Sequence, residues 1–272
     1  MKGIDIIIPV HEYNPEVSEL LKRCLESVQA MALVNKDMNL YTDVCVVGPS
    51  LPSEEINKLI EWDTEFTSFN VVENSGKIDF CSQVNYAVEN GCHNEYFIVV
   101  EFDDIVTAKW VKMALPYIES RPKCPIFLPL VEVYDIQNPN APLHYINELG
   151  WSSSFAENEL GSLTNAALQD YCNFNFTGSI VKRSDYIKAG GLKPSIKLAF
   201  GYELLLRLAH FNKEVYVVPK VGYFHFVNRD NSLTSEYHRT MTQEEGSWWI
   251  KLAIEECQHK KDRNKTYSPD EK

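Results

Sequence analysis

Three carboxylates close the apolar run "EYFIVVEFDDIV" (Glu95 to Val106): Glu101, Asp103 and Asp104. Charges this close repel, and a cation or water must offset that repulsion. A strand alternates its side chains between faces, so Glu101 and Asp103 are expected to point the same way where the strand ends. Two hard oxygen ligands on one side suit Mg2+ or Mn2+, with substrate phosphates completing the shell. The other reading of the same residues is a solvated acidic turn that caps the next helix.

The elements that would position this turn alternate through the first half of the chain. "IDIIIPV" is short, β-branched and bounded by a proline, and reads as a buried strand. The helix "NPEVSELLKRCLESVQAMA" comes next, with Val17, Leu20, Leu21, Cys24, Leu25 and Val28 at helical spacing and Asn14 as its N-cap. Strands are expected at "TDVCVVG", "FNVVEN" and "YFIVVEF", and helices at "PSEEINKLIEW", "DFCSQVNYAVENG" and "AKWVKMALPYIES". Such alternation predicts an α/β fold with a mostly parallel, Rossmann-like sheet flanked by helices. Ligands then sit beyond the carboxyl ends of the strands. Past residue 135 the pattern is less regular, with "PIFLPLVEVYD", "FNFTGSIVKR" and "EVYVVP" as strands, "YELLLRLAHFN" as a helix and "NELGWSSSF" as a loop or lid. In "SDYIKAGG", Ser184 is the expected N-cap and Gly190 the expected stop. The amphipathic "EEGSWWIKLAIEE" places Trp248 and Trp249 against the domain or against a second copy of the chain, which leaves a homodimer open.

The bulk numbers set outer bounds. The 272 residues suit one large domain or two small ones, and the net charge of −12 disfavours unspecific contact with nucleic acid or anionic membrane. Seven scattered cysteines without a CxxC pair read as reduced thiols, which points to the cytoplasm, or a host's cytoplasm for a viral protein. No apolar run approaches the roughly 18 residues a membrane helix needs, so no membrane insertion is expected.

Four stretches in order carry a resemblance. "IDIIIPVHEYNPEVSELLKRCLESV", "VVEFDDIVTAKWV", "FTGSIVKRSDYIKAGGLKPSIKLAFGYELLLRLA" and "VYVVPKVGYFHFVNRDNSLT" resemble the opening, acidic metal, acceptor and closing segments of family 2 glycosyltransferases of the GT-A fold. The resemblance covers most of residues 3–235. It implies a domain over 1–235, to which the chain's own amphipathic pattern adds a packed C-terminal helix at 236–257 and its polar composition a disordered tail at 258–272. It also implies a metal-dependent, inverting transfer of a sugar from a nucleoside-diphosphate donor to a hydroxyl acceptor, with Mn2+ or Mg2+ as cofactor.

Residue by residue, Asp103 becomes the main metal ligand and a catalytic residue. Glu101 stands where the family usually has an Asp, and His225 joins from the closing loop. Asp104 binds metal or caps the following helix. Pro9, His11, Glu73, Lys77, Asp79, Glu101 and Arg229 are the donor-binding candidates, with Arg229 suited to the diphosphate. Lys193 and Lys197 are further candidates for phosphate contacts. Glu148, Trp151, Gly201 and Tyr202 are the acceptor-binding candidates. Two departures stand out. Gly48 replaces the acidic residue expected to contact the donor's base. Phe200 and Gly201 replace the Glu-Asp that supplies the general base, leaving Glu203 as the nearest carboxylate. Glu203 is either that base or a structural partner of Arg207 at i,i+4.

Two rival functions remain: the departures suit a transferase fold that binds a nucleotide or glycan without turnover, and a Rossmann-like sheet with acidic metal ligands also suits a nucleotidyltransferase. The latter ranks last, because "IPVHEYN" lacks a Gly-rich, basic phosphate loop.

Overall fold

The computed structural model describes residues 1–60, 65–155, 159–212, 214–229, 232–258 and 266–268. Four β-strands in succession, β1 (Gly3–Pro9), β2 (Tyr41–Gly48), β3 (Ser68–Glu73) and β4 (Tyr96–Val99), pair in the parallel order β3-β2-β1-β4. All seven residues of β1 are buried, as its continuous apolar run requires of a strand covered on both faces. The helices between them are α1 (Pro15–Asp37), α2 (Ser53–Lys58) and α3 (Phe80–Asn90). The Asn14 side chain caps α1 by accepting from the Val17 N–H at 3.0 Å, and Asp79 caps α3 by accepting from Ser82 at 2.8 Å.

The chain then adds a short strand, β5 (Ile105–Val106), a helix, α4 (Trp110–Ser120), and a long strand, β6 (Ile126–Asp135). The small strands β7 (His144–Ile146) and β8 (Ser162–Leu163), with α5 (Asn165–Asp170), occupy the irregular stretch. Next come β9 (Ile180–Lys182), α6 (Arg183–Ala189), α7 (Phe200–Asn212) and β10 (Val215–Val227). β9 lies between β4 and β6, antiparallel to both, and β10 runs parallel to β6. The six longer strands β1, β2, β3, β4, β6 and β10 therefore share one direction, and their carboxyl ends share one edge.

Two apolar cores cover the sheet. Ile4, Ile6 and Ile8 face α1 and α4, whereas Ile7 faces α3, α6, α7 and the last helix, α9 (Gln243–Glu256). The expected single helix at 236–257 is two: α8 (Leu233–Thr240) and α9, separated where Thr242 caps α9 through Glu245 N–H. Trp249 is buried within the domain's own core, and Trp248 packs beside it. Gly190 ends α6 in the left-handed region as expected, while Ser184 lies inside α6, with Lys182 in the cap position. The expected tail falls largely outside the described residues; within 266–268, Tyr267 packs against the second core. No described helix is long and apolar enough to cross a membrane, and the cysteines carry no disulfide.

Candidate active site

The strand before the acidic turn ends three residues earlier than the run "YFIVVEF" suggests. β4 ends at Val99, so Glu101–Asp104 is a turn closed by the Asp104 N–H donating to the Glu101 carbonyl at 3.0 Å. Period-two facing no longer applies, and Glu101 pairs in space with Asp104 rather than with Asp103. The strand after the turn fixes its position. β5 joins the sheet antiparallel to β10, opposite Tyr223 and Phe224, which sets Asp104 beside His225. Asp104 Oδ2 meets His225 Nδ1 at 2.9 Å, and Asp104 Oδ1 accepts from the Phe226 N–H at 2.8 Å. Ligand atoms of Glu101, Asp104 and His225 lie within 4.8 Å of one another.

The electrostatics of this cluster come from burial and crowding. Loss of water, then repulsion from Asp104, raises the Glu101 pKa to about 8, against the pull of His225 and of Thr177 beside it. Burial disfavours the His225 cation, but Asp104 and then Glu101 and Asp103 outweigh it and raise the imidazole to about 10. Tyr223 lies beneath, its hydroxyl accepting from the Glu101 N–H at 2.9 Å. Burial and then Asp104 hold that phenol far above its usual range. Gly178 passes over the Tyr223 ring at φ +75°, where a Cβ would stand 2.5 Å from the ring, so only glycine fits. Oxygen and nitrogen donors in this set suit Mn2+ and, less well, Mg2+.

Asp103, expected as the main metal ligand, points elsewhere. Its Oδ2 accepts from Arg229 Nε at 2.7 Å, its carbonyl accepts from Arg23 Nη2 at 2.5 Å, and both carboxylate and guanidinium are nearly buried. Burial, then Asp104, raises the Asp103 pKa, while Arg229 opposes the rise. Arg229 lies over the Phe102 ring at 5.0 Å, Arg23 over Phe226 at 4.2 Å, and the His11 ring sits 5.6 Å from Phe102. Desolvation and the Arg229 charge lower the His11 pKa. His11, Arg229 and the acidic turn thus share one end of the sheet. Asp230 and Asn231 of the closing segment lie outside the described residues.

The other donor candidates lie along the same edge. Pro9 is the buried end of β1, and Glu73 is the exposed end of β3. Lys77 and Asp79 are exposed on the loop into α3; the Lys77 carbonyl accepts from Gln83 Nε2 and the Asp79 carboxylate caps α3. At Gly48 a Cβ would collide with the Val10 carbonyl oxygen, so no side chain, acidic or otherwise, fits there.

The acceptor candidates and the base come out differently. Glu203 is fully buried, gripped by Arg207 through Nε–Oε1 (3.0 Å) and Nη2–Oε2 (2.7 Å) and by Lys193 Nζ at 3.1 Å. An i,i+4 pair deep in the core leaves no oxygen for an acceptor hydroxyl, so the structural alternative is the geometry found. Lys193, expected at a phosphate, is fully buried in this network and also donates to the Glu256 carbonyl at 2.9 Å. Lys197 is exposed. Tyr202 is buried with its hydroxyl donating to the Leu168 carbonyl at 2.7 Å, and a Cβ on Gly201 would stand 2.9 Å from the Phe176 ring. Trp151 donates its indole N–H to the Val217 carbonyl at 2.8 Å and packs edge-on to Tyr216, a wall of the fold rather than a platform for sugar. Glu148 is exposed on the 3-10 turn that ends at Trp151.

Tyr223 and Arg23 escape a reading of the sequence. Tyr223 carries a signal, since it lies two residues before His225 on one strand and so shares its face. Arg23 carries none, because its reach to Asp103 is purely tertiary.

The fold is one shared with solved glycosyltransferases, and an acidic, histidine-bearing cluster lies at the carboxyl edge of its sheet. Staphylococcus aureus TarS (residues 1–349) in complex with UDP-GlcNAc superposes with a TM-score of 0.62 at 15% identity, over 93% of this chain and 65% of that one. A further S. aureus TarS structure gives 0.57 at 14%, over 96% and 44%. The mannosyltransferase PcManGT from Pyrobaculum calidifontis, in complex with GDP-Man and Mn2+, gives 0.55 at 12%, over 94% and 70%. At these identities the likeness is one of fold, and the chain spans under two thirds of the UDP-GlcNAc-bound TarS structure. No protein-family model and no curated protein sequence matches the chain.

Proposed function

We propose that the protein is a glycosyltransferase that takes a nucleoside-diphosphate sugar as donor and a hydroxyl as acceptor. The observation that carries this reading is the Glu101–Asp104–His225 cluster at the carboxyl end of β4, in a fold shared with transferases solved with UDP-GlcNAc and GDP-Man. Those three residues would hold a divalent cation, Mn2+ by donor type, which when bound neutralises the leaving diphosphate. Tyr223 and the Phe226 N–H fix the carboxylates, and the buried sheet end limits water around them. His11 and Arg229 supply polar groups on the donor side.

The sealing of Glu203 favours a second reading, a fold that binds a nucleotide sugar without passing the sugar on. One experiment separates the two. Thermal shift with UDP-GlcNAc, GDP-Man and other nucleotide sugars, with and without Mn2+, reports binding by mass action. Release of nucleoside diphosphate in the same samples reports turnover. Binding with release supports the transferase. Binding without release across a panel of hydroxyl acceptors supports the second reading, and no Mn2+-dependent stabilisation by any donor defeats both.

A further inference from the structure

We propose that the acceptor is a neutral saccharide, and that it lies across an aromatic platform formed by Tyr134, Tyr145 and Phe224 around the Glu132 carboxylate. The inference rests on the transferase reading above and names its acceptor class.

The platform follows from strand register. Glu132 of β6 pairs with Tyr145 of β7 on one side and with Phe224 of β10 on the other, so the three side chains share a face. Tyr134 comes two residues after Glu132 and returns to that face. Its ring meets Phe224 edge-on at 5.6 Å and stacks on Phe226 at 5.8 Å. Its hydroxyl donates to Glu132 Oε2 at 2.7 Å, which fixes a carboxylate among the rings. The face is open: Tyr145 is 39% exposed and Leu143, two residues before it, 56%, while Glu132, Tyr134 and Phe224 are half-buried. Contiguous exposed apolar area of this kind marks a binding surface.

Chemistry selects the occupant. A sugar ring offers a face of C–H groups that packs on the negative face of an aromatic ring, and its rim of hydroxyls donates to a carboxylate. A protein partner laid on the same rings would bury Glu132 against apolar groups, a cost that a hydroxyl-rich ligand avoids. Glu132 and the nearby Asp135 also disfavour a polyanionic chain or an anionic lipid surface. Continuity with the candidate site supplies the role. Phe226 carries the rings to the edge of the sheet, where its N–H donates to Asp104 Oδ1 at 2.8 Å. β10 shows His225 to one face and the phenylalanines on either side of it to the other. A saccharide on the rings therefore reaches the cation cluster by crossing the sheet's edge, with one hydroxyl turned to the donor. In the transfer that hydroxyl oxygen bonds to the donor's anomeric carbon, the bond from that carbon to the diphosphate breaks, and the hydroxyl proton ends in solvent.

Titration calorimetry of the full chain with maltohexaose, cellohexaose, chitohexaose and a mannan oligosaccharide tests this, with light scattering to report self-association. At least one of these probes should bind. Tyr134→Ala and Tyr145→Ala should each weaken that binding by about tenfold, whereas Tyr134→Phe, which keeps the ring, should weaken it less. Tyr145→Ala, at an exposed position, keeps the test informative if Tyr134→Ala folds poorly. The thermal shift given by UDP-GlcNAc or GDP-Man with Mn2+ should be the same in these variants as in the wild type, which separates a lost platform from a lost fold. Saccharide binding of equal strength in the wild type and Tyr145→Ala, or no binding of any probe, overturns the platform. So does a wild-type dimer that Tyr145→Ala turns into a monomer, because the face then belongs to a second copy. Transfer to a non-saccharide hydroxyl, unaltered in Tyr145→Ala, overturns the acceptor assignment and leaves the transferase reading standing. Failure of every nucleotide sugar to bind defeats the transferase reading and the acceptor role with it.

Discussion

Two charged clusters in this molecule use the same side-chain chemistry to opposite ends. Behind α7, Glu203 and Glu256 meet Lys193 and Arg207, two anions and two cations, and the set is buried. At the edge of the sheet, Glu101, Asp103 and Asp104 meet Arg229 and His225, with Glu101 and His225 still partly open to solvent. The first cluster is charge-balanced, forked and further tied by Arg207 to the Ala189 and Gly191 carbonyls, each at 2.6 Å. The second is unbalanced, crowded and shifted in its pKa values. Balance and closure mark a scaffold, whereas excess like charge at an opening marks a place where something is meant to bind.

The comparison can be broken at its strongest point first. Arg207→Met strips Glu203 of its forked partner and leaves a buried carboxylate facing Lys193 alone. Unfolding by denaturant should show a loss of about 3–5 kcal/mol, with Mn2+ affinity of the folded protein unchanged. A loss of Mn2+ affinity there would mean that the two clusters are one system. Next, His225→Ala removes a candidate ligand from the open cluster. Calorimetry should report Mn2+ binding weakened by at least the roughly 10–100-fold typical of outer-shell changes, with less stability lost than in Arg207→Met. Unaltered Mn2+ binding would remove His225 from the site. The smallest effects are expected at the acceptor candidates that are walls of the fold. Trp151→Phe and Tyr202→Phe each delete one hydrogen bond to a backbone carbonyl and should cost about 1 kcal/mol in the same unfolding assay. A change in donor or acceptor binding without that cost would return either residue to the acceptor side.

Much of the fold is written in local pattern. Buried β-branched runs such as "IDIIIPV" and the helical spacing of Val17 to Val28 name their elements without help from distant residues, and the Asn14 cap is decided within four residues. The acidic turn is legible as a place but not as a geometry. Strand alternation pairs Glu101 with Asp103, but the strand stops at Val99, and the partner of Glu101 is Asp104. Glu203 is ambiguous for a sharper reason. The spacing to Arg207 fits a helix pair on the surface or in the core, and only the positions of Lys193 and Glu256, the latter far away in sequence, decide which. The same holds for Lys193 itself. A lysine in "GGLKPSIK" looks like a phosphate ligand until α9 is seen to cover it.

That cover has a consequence for the order in which the molecule is completed. Lys193 finds its Glu256 carbonyl only at the last turn of α9, well beyond the end of α7 in the chain's making. Until that turn arrives, the ammonium lacks one of its partners and the second core lacks Trp249 and Ala253. The α1–α4 side of the sheet can close once β10 has been made, since Tyr216, Val218 and Tyr223 belong to its core, while the α7 side waits for α9 as for a keystone.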